Sequence, residues 1–599
     1  MIKTREDYNK VIEKLKELVN KWGLCSVYMV GGCVRDEILG LLPKDIDLVV
    51  NYPGGSEVFV DFLKDEFSDI CSGFTKYPKY GTSKFTLCYD TDSFIDIECV
   101  IPRTESYDNC FRKPSSVKYT TIEEDALRRD FCCNALYKNI LTGEILDPTN
   151  KGLDDIKNKI LRTPLDPIQT FKDDPLRMLR AIRFYCNKSF KIDDTVYSNL
   201  APIQEFYGLS MERIRDEFEK ILMSPNPIEG VNMLYNLKFL PWIIPDLPMC
   251  FNYNQNSKYH DLTLEKHIFR VLKGVMNVDK EYELELRWAA LLHDIGKPLV
   301  AVVDHISGYT HYYDHDIKSS ERTRVLLTRL KYGNDFIDRV CIIIENHMCI
   351  KQLYNYDTRQ YTGKPSKTRK LALKLGDLLR PTMELIDSDN KAHAPEYCMD
   401  NQVKSFWESY EKYVVNSNIT KNVVEDLISG NEIITTFNLT PGKNIGDIKQ
   451  IIQNIYLENL TLTKEEIISK LKKETDNIEL WISRDVNGYK VSITEPIFIT
   501  ILNLYSLQPD GDNFGELEYD YFNLELNTKT KVRAIECMSI YRELKDRKRV
   551  EKIIQQINNL AQSLLEVSSF QSVEIGYDTA DHFAASVYWK NGKTSTYDG

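Results

Sequence analysis

Two acidic residues two positions apart, Asp45 and Asp47, stand in the apolar run DIDLVV. A strand over that run projects both carboxylates from one face. Paired hard oxygen donors suit Mg2+, which binds through carboxylates and substrate phosphate oxygens. A second run, FIDIECV, repeats the arrangement with Asp96 and Glu98. Acid on the strand face of a core is costly unless a metal or a base compensates it. Gly31 and Gly32 follow the run VYMV and precede a helix expected to begin near Arg35, where backbone can approach a phosphate. Singly, a Gly-Gly turn and an Asp-x-Asp are common. Together within 17 residues, they point to two-metal nucleotidyl transfer, in which one ion activates a hydroxyl and both offset charge on the α-phosphate.

Histidine forms a second concentration: seven of the nine fall between 260 and 347. The order His267, His293-Asp294, His315, His347, Asp389 supplies imidazoles and carboxylates on successive helices, a set suited to a transition metal or Mg2+. His260, His305, His311 and His393 read as satisfied core residues.

The elements that position these groups follow from periodicity. Residues 1–20 show helical spacing, and the runs VYMVGG, DIDLVV, SKFTLCY and FIDIECVI read as strands. From about Ile156 the pattern is mostly helical, and beyond Asn477 it turns β-like around a helical middle. The expected fold class is α+β: an α/β head, an all-α body and a small α+β appendix. At roughly 100 to 200 residues per domain, 599 residues exclude a single small module. A formal net charge of −12 tells against indiscriminate nucleic-acid binding while leaving room for a local basic surface. Fourteen scattered cysteines without a Cys-x-x-Cys pair fit neither a zinc ribbon nor a secreted disulfide framework. The charged, amphipathic start is unlike a signal peptide, and no run approaches the roughly 18 to 20 apolar residues that span a bilayer. A cytoplasmic protein without a membrane partner is expected.

GGCVRD followed by DID resembles the nucleotide-transfer signature of the class II tRNA nucleotidyltransferases, the CCA-adding enzymes, and their bacterial poly(A) polymerase relatives. Four further stretches resemble the family in order: RTESYDNCFRKPSSVKYTTIEEDALRRDFCCNALY, DPTNKGLDDIKNKILR, FKDDPLRMLRAIRF and MERIRDEFEKIL. The resemblance implies a polymerase-β-like head with Asp45 and Asp47 as Mg2+ ligands and Asp96 as the candidate third carboxylate. It implies that Gly31, Gly32 and Arg35 hold the triphosphate, and that Arg128, Arg129, Asp130 and Asn134 bind sugar and phosphates. Asp174 and Arg177 would read the edge of CTP or ATP, with Arg180 one turn further on. Positions 174, 177 and 180 lie on one helical stripe, where a carboxylate and a guanidinium form a planar donor/acceptor edge. Asp173 departs from the usual Glu, and Cys132-Cys133 from Thr and a small apolar residue. Leu176, Met178, Leu179 and Ile182 read as core and Arg183 as core or surface.

LRWAALLHDIGKP, with YHDLTLEKH before it and HYYDHD and ENHM after it, resembles the HD-type phosphohydrolase domain. That resemblance implies metal ligation by His267, His293, Asp294 and Asp389, with His315 and His347 near a second metal or the substrate; the ion would be Ni2+, Mn2+, Co2+ or Mg2+. Metal-bound hydroxide attacking a phosphoester, such as a 2′,3′-cyclic phosphate on RNA, is the chemistry implied. The expected domains are a head (1–150), a helical neck with base selection (151–255), an HD-type domain (256–400), a helical tail (401–479) and an unassigned α+β extension (480–599). The family resemblance covers about 27–473.

The expected partners are a tRNA 3′ end, CTP and ATP. Segment 361–380 carries six Lys/Arg against one Asp and is the expected phosphate contact of the body, with Tyr361 a stacking candidate; RELKDRKRVEK at 542–552 is its counterpart in the extension. Poly(A) synthesis, addition of only C or only A, and an HD phosphohydrolase whose head only binds RNA are the competing readings.

Overall fold

The computed structural model describes residues 2–91, 93–106, 116–437, 441–442 and 444–476, together with seven strands between 480 and 598. The chain divides into two units, Met1–Glu345 and Asn346–Gly599.

The first unit opens with α1 (Arg5–Trp22). It starts at Thr4, whose hydroxyl accepts from the Asp7 amide while the Asp7 carboxylate accepts from the Thr4 amide. This reciprocal cap satisfies two donors that a helix start leaves unpaired. Its buried stripe, Tyr8, Val11, Leu15, Leu18, Val19 and Trp22, has the 3.6-residue period of a one-sided helix. There follow β1 (Val27–Val30), α2 (Gly32–Ile38), β2 (Ile46–Val50), α3 (Gly55–Glu66), β3 (Cys71–Tyr77), β4 (Thr82–Asp90), β5 (Ser93–Val100), β6 (Arg103–Ser106), β7 (Ser116–Tyr119), α4 (Ile122–Leu127), β8 (Tyr137–Asn139) and β9 (Ile145–Leu146). Seven of these strands form one sheet in the order β3-β4-β5-β2-β1-β8-β9. Its β2–β5 pair is parallel, whereas β1–β2 and β4–β5 are antiparallel. The runs VYMV, DIDLVV, SKFTLCY and FIDIECVI become β1, β2, β4 and β5. Strand β3, CSGFTKY, is mostly exposed and lacks the apolar alternation that marks a strand in sequence.

An aromatic core lies on one sheet face, and a second cluster of Val30, Val49, Ile122, Ala126 and Tyr137 lies on the face that bears Asp47. Trp22 and Phe59 approach to 4.8 Å between ring centroids, and Phe59 and Phe85 to 6.3 Å. Alternation in β5 buries Ile95, Ile97 and Cys99 and turns Asp96 and Glu98 to the other side. The fold thereby sets the acids of β5 on the side opposite the aromatic layer.

The neck continues with α5 (Gly152–Asn158), α6 (Pro167–Asp173), α7 (Leu176–Lys188), α8 (Asp194–Tyr197), α9 (Met211–Leu222) and α10 (Pro227–Asn236). Leu176, Met178, Leu179 and Ile182 are buried, as their spacing predicts. The unit ends with helices Leu264–Val275, Glu283–Leu292, His315–Arg329 and Asn334–Glu345. His305 and His311 differ from expectation. They occupy a turn and strand between residues 302 and 311, where Ile306 is fully exposed; so short a two-stranded turn encloses no core.

The second unit has a helical core around Tyr361, Leu371, Met383 and Phe406. Here three of the six cations in the basic segment 361–380 are engaged within the fold. Arg369 is buried and donates to the carbonyls of Tyr413 (3.1 Å) and Leu457 (2.7 Å), the latter in the last turn of helix Asn444–Glu458. Lys370 pairs with Glu458 at 3.5 Å, and Lys374 donates to Asn346 at 2.8 Å. These cations satisfy carbonyls and acids of the fold. Tyr361 is buried with its hydroxyl against Thr368, which removes it as a stacking platform. Beyond 480 the described strands form sheets of four and three strands. The expected helical middle and the basic run 542–552 lie outside the described residues. Among the described residues no helix is long and apolar enough to cross a membrane.

Gly230 in α10 fixes how closely the neck helices pack. A Cβ there would lie 2.5 Å from Ile221 Cγ2 of α9 and 2.8 Å from Cys186 Sγ of α7. Gly230→Ala is expected to lose about 1 to 3 kcal/mol through overpacking, read by chemical denaturation.

Candidate active site

Asp45 immediately precedes β2 and Asp47 lies within it, both solvent-accessible. In the parallel pairing Asp47 faces Glu98 of β5. Packing around the Asp47 carboxyl, then the charges of Asp45 and Glu98, push it up to about 6; Arg129 and Lys84 only partly offset them. Like charges gathered on one strand face favour a proton or a bound cation. Asp96, the expected third carboxylate, sits two residues before Glu98 and accepts from Thr86 Oγ1 at 2.6 Å. Glu98 is thus the acid in register with Asp47. The sequence shows it in FIDIECV, but only the strand register selects between the two.

Arginines lie toward β1 from this acidic strip. Gly31 has φ +77° and ψ −131°, a backbone state open to glycine. A Cβ built there would come within 3.7 Å of Arg129 Nη1, so backbone and guanidinium adjoin. Arg35 is buried and donates to Asn134 Oδ1 at 2.5 Å and to Asp36 at 2.8 Å. Arg128 and Arg129 are held from below by Asp125, at 2.7 and 3.1 Å. Asp125 is fully buried and also accepts from Tyr137 Oη at 2.6 Å and the Arg103 amide at 3.1 Å. Burial alone would raise its carboxyl, but Arg129, Arg128, Tyr137 and the Arg103 amide together hold it down to about 2. Asp125 was not among the residues expected from sequence; its i, i+3 and i+4 relation to Arg128 and Arg129 is the signal that marks it.

Asp130, Asn134 and Arg180 come together as a network. Asp130 accepts from Arg180 Nε and Nη2 at 2.8 and 2.6 Å, and from Asn134 Nδ2 at 2.9 Å. Asp174 departs from the single-helix stripe. It has φ −146° and ψ 100° at the end of α6, before Pro175, because the residue preceding proline is steered out of the helical region. Arg177 and Arg180 do lie in α7. Asp174 Oδ1 accepts from the Leu176 amide at 3.2 Å, and Oδ2 pairs with Arg213 of α9 at 2.9 Å. Arg177 donates to the carbonyls of Thr170 and Arg128. Glu217, one turn beyond Arg213, is buried and pairs with Arg183 at 3.1 Å. Arg213 and Glu217 lie in the family-like stretch MERIRDEFEKIL without having been singled out there; their i, i+4 spacing puts both on one face of α9.

The HD residues of the first unit converge. His267 Nε2 and His293 Nε2 lie 3.3 and 3.2 Å from Asp294 Oδ2, and His315 Nε2 lies 3.4 Å from Asp294 Oδ1. His293 Nδ1 donates to the Ala290 carbonyl at 2.9 Å and His315 Nδ1 to the Tyr312 carbonyl at 2.8 Å. That turns the Nε2 atoms inward toward Asp294, the orientation from which they can serve as metal ligands. Burial outweighs Asp294 in bringing His315 down to about 4, keeping it neutral. Burial would raise the Asp294 carboxyl, but His293, Lys297 and His267 hold it well below its ordinary range. Lys297 Nζ stands 2.8 Å from Asp294 and 3.3 Å from His260 Nε2. In the second unit His347 is buried, and Asp389 pairs with Lys351 at 2.5 Å, with His393 Nε2 3.2 Å from Lys351.

A sheet carrying paired acids beside an arginine flank defines a nucleotidyltransferase head. Family models agree: "Poly A polymerase head domain" matches residues 27–162, "Probable RNA and SrmB- binding site of polymerase A" matches 200–250, and "HD domain" matches 264–381. The mitochondrial CCA tRNA nucleotidyltransferase of Saccharomyces cerevisiae is 26% identical over 509 residues, 76% of this chain and 89% of that protein. The Multifunctional CCA protein of Pseudoalteromonas atlantica is 31% identical over 54% of this chain and 75% of that protein. In fold, the chain is similar to the CCA-adding enzyme of Bacillus stearothermophilus solved with CTP, at a TM-score of 0.53 and 19% identity, covering 78% of this chain and 98% of that one. The chain belongs to the family of CCA-adding tRNA nucleotidyltransferases.

Asp125 sets a pH window. Its carboxyl is held down to about 2 in the fold, against 3.8 for an unperturbed side chain. The resulting stabilisation, about 2 kcal/mol, is present above about pH 4 and is lost as pH falls toward 2. Asp125→Asn is expected to lower stability at neutral pH by about 3 kcal/mol, since it leaves two arginines facing an uncharged buried amide, and to flatten the acid limb of a stability-against-pH profile.

Proposed function

We infer that the protein is a template-independent tRNA nucleotidyltransferase that builds or repairs the 3′-terminal CCA from CTP and ATP. The observation that carries this reading is the strip of Asp45, Asp47 and Glu98 beside the Arg128–Arg129 pair, in a chain of the CCA-adding family. Carboxylates gathered on one strand face are the donor set that suits Mg2+, and Asp45 and Asp47 would hold it. Bound there, the ion supplies a lowered hydroxyl pKa and charge compensation at the α-phosphate. The chain's own side chains do the rest. Arg128 and Arg129, oriented by Asp125, face the polyphosphate. Asp174, aimed by Arg213, and Arg177, aimed by two carbonyls, present an acceptor and donors to the base edge. Asp130 fixes Arg180 beneath them. The head acts in transferring a nucleotide to the RNA 3′ hydroxyl with departure of pyrophosphate.

A second activity is proposed for the HD region. The inward Nε2 atoms of His267, His293 and His315 around Asp294 support metal binding there, with metal-assisted hydrolysis of RNA-end phosphoesters the chemistry it would serve. A cytoplasmic location is proposed from the free thiols of the described cysteines; the mitochondrial name of the yeast relative supplies the competing location.

Asp45→Ala and Asp47→Asn are expected to reduce incorporation into tRNA ending before CCA by about a thousandfold or more, with no loss of thermal stability, because each removes like-charge repulsion. Supplying CTP and ATP separately and together reads the product: a long A tail identifies a poly(A) polymerase, and C alone or A alone identifies a partial enzyme. His293→Ala is expected to lose at least about tenfold in metal affinity, measured as bound metal per chain, while incorporation by the head is retained; phosphate release without any incorporation by the unaltered protein would leave the HD activity alone.

A further inference from the structure

The acidic strip has two basic flanks of different kinds. Toward β1 lie Arg35, Arg128 and Arg129. On the opposite side, beyond β5, the neighbouring strand β4 brings Lys84 into register with Glu98, which is itself in register with Asp47. The row Asp47, Glu98, Lys84 therefore crosses three adjoining strands. Lys84 Nζ lies 3.0 Å from Glu98 Oε2, and its side chain remains half exposed. Along β4 on the same face, Thr86 holds Asp96. Neither Lys84 nor any other residue of β4 was expected to serve the site.

Nucleotidyl transfer fixes what each flank can hold. The 3′ oxygen forms its bond to the α-phosphorus as the bond to pyrophosphate breaks, with entering and leaving oxygens roughly in line. The hydroxyl proton goes to solvent or a base, and pyrophosphate departs with the bonding pair. Entering and leaving groups thus occupy opposite sides of the acids. Pyrophosphate concentrates charge on two phosphoryl groups and fits the arginine flank, whose planar forks suit it. The RNA end, bringing single phosphodiester charges, falls to the side with a single flexible ammonium.

We propose that Lys84 binds a phosphodiester of the acceptor RNA next to its 3′-terminal nucleotide and so holds the attacking hydroxyl over the acidic strip. This rests on the nucleotidyltransferase reading of the head. The pairing with Glu98 keeps the ammonium over the strip before RNA arrives, so little side-chain freedom remains to be lost on binding.

The test compares the full-length protein with Lys84→Met, which keeps an apolar stem, and Lys84→Arg. The probes are a tRNA transcript ending before CCA, and CTP. Lys84→Met is expected to raise both the RNA Kd and the RNA KM about five- to tenfold with the CTP KM unchanged. The slope of log affinity against log salt should fall by about 0.7 to 0.9, the value for one lost phosphate contact, and Lys84→Arg should restore most of the affinity. The unchanged CTP KM reports an intact head. Unaltered RNA affinity and salt slope would overturn the proposal, as would a raised CTP KM with normal RNA binding, which places Lys84 on the nucleotide's side. If the unaltered protein incorporates nothing, the nucleotidyltransferase reading fails; the RNA-affinity and salt-slope arms then still decide whether Lys84 holds RNA.

Discussion

Mutual repulsion among the carboxylates on one face of β2 and β5 is the constraint around which the head is organised. Asp45 at its entry and Asp47 within it stand on an otherwise buried strand, and the parallel neighbour adds Glu98. Apolar packing on the opposite face prevents the strands from turning these acids away, since a one-residue slip would exchange the two faces. The surroundings answer with positive charge: arginines toward β1 and a lysine on β4. What the sheet cannot neutralise itself it leaves to ligands, which makes this a site that binds cations and polyanions together.

The arginine flank depends in turn on acids that hold its guanidinium groups. Asp125 lies beneath Arg128 and Arg129, Asp130 beneath Arg180, and Glu217 behind Arg183. Each guanidinium thus has a fixed direction, which costs less freedom when a phosphate or base is bound. Helix α9 contributes twice to this arrangement, with Arg213 on Asp174 and Glu217 on the α7 arginines. The neck is therefore part of the site in a physical sense: it aims side chains that belong to other elements.

Much of this was legible in the sequence. The four strands that build the middle of the sheet are apolar runs with glycine or acid at recognisable places, and alternation told which side Asp47 would face. Five motifs in family order announced the head and neck, and the spacing of His267, His293, Asp294 and His315 announced their convergence. What escaped depends on pairing between distant segments. Asp96 and Glu98 look equivalent until register puts one of them beside Asp47. Lys84 has no neighbours in sequence that suggest chemistry. Segment 361–380 looks like an RNA contact because composition cannot reveal that Arg369 closes the end of a helix nearly ninety residues later. Asp174 read as helical because its own type permits it, whereas the proline that follows does not.

The parallel joining of β2 to β5 also bears on how the head is made. Antiparallel neighbours can be linked by a tight turn, but parallel ones need a crossover, here running through α3, β3 and β4. The acids that must meet are about fifty residues apart along the chain, and closing a loop of that length carries an entropic cost before the contact repays it. Such non-local pairing is characteristically slow. During synthesis, then, the β1–β2 ribbon emerges with its acids and an open edge well before β5 exists to cover it.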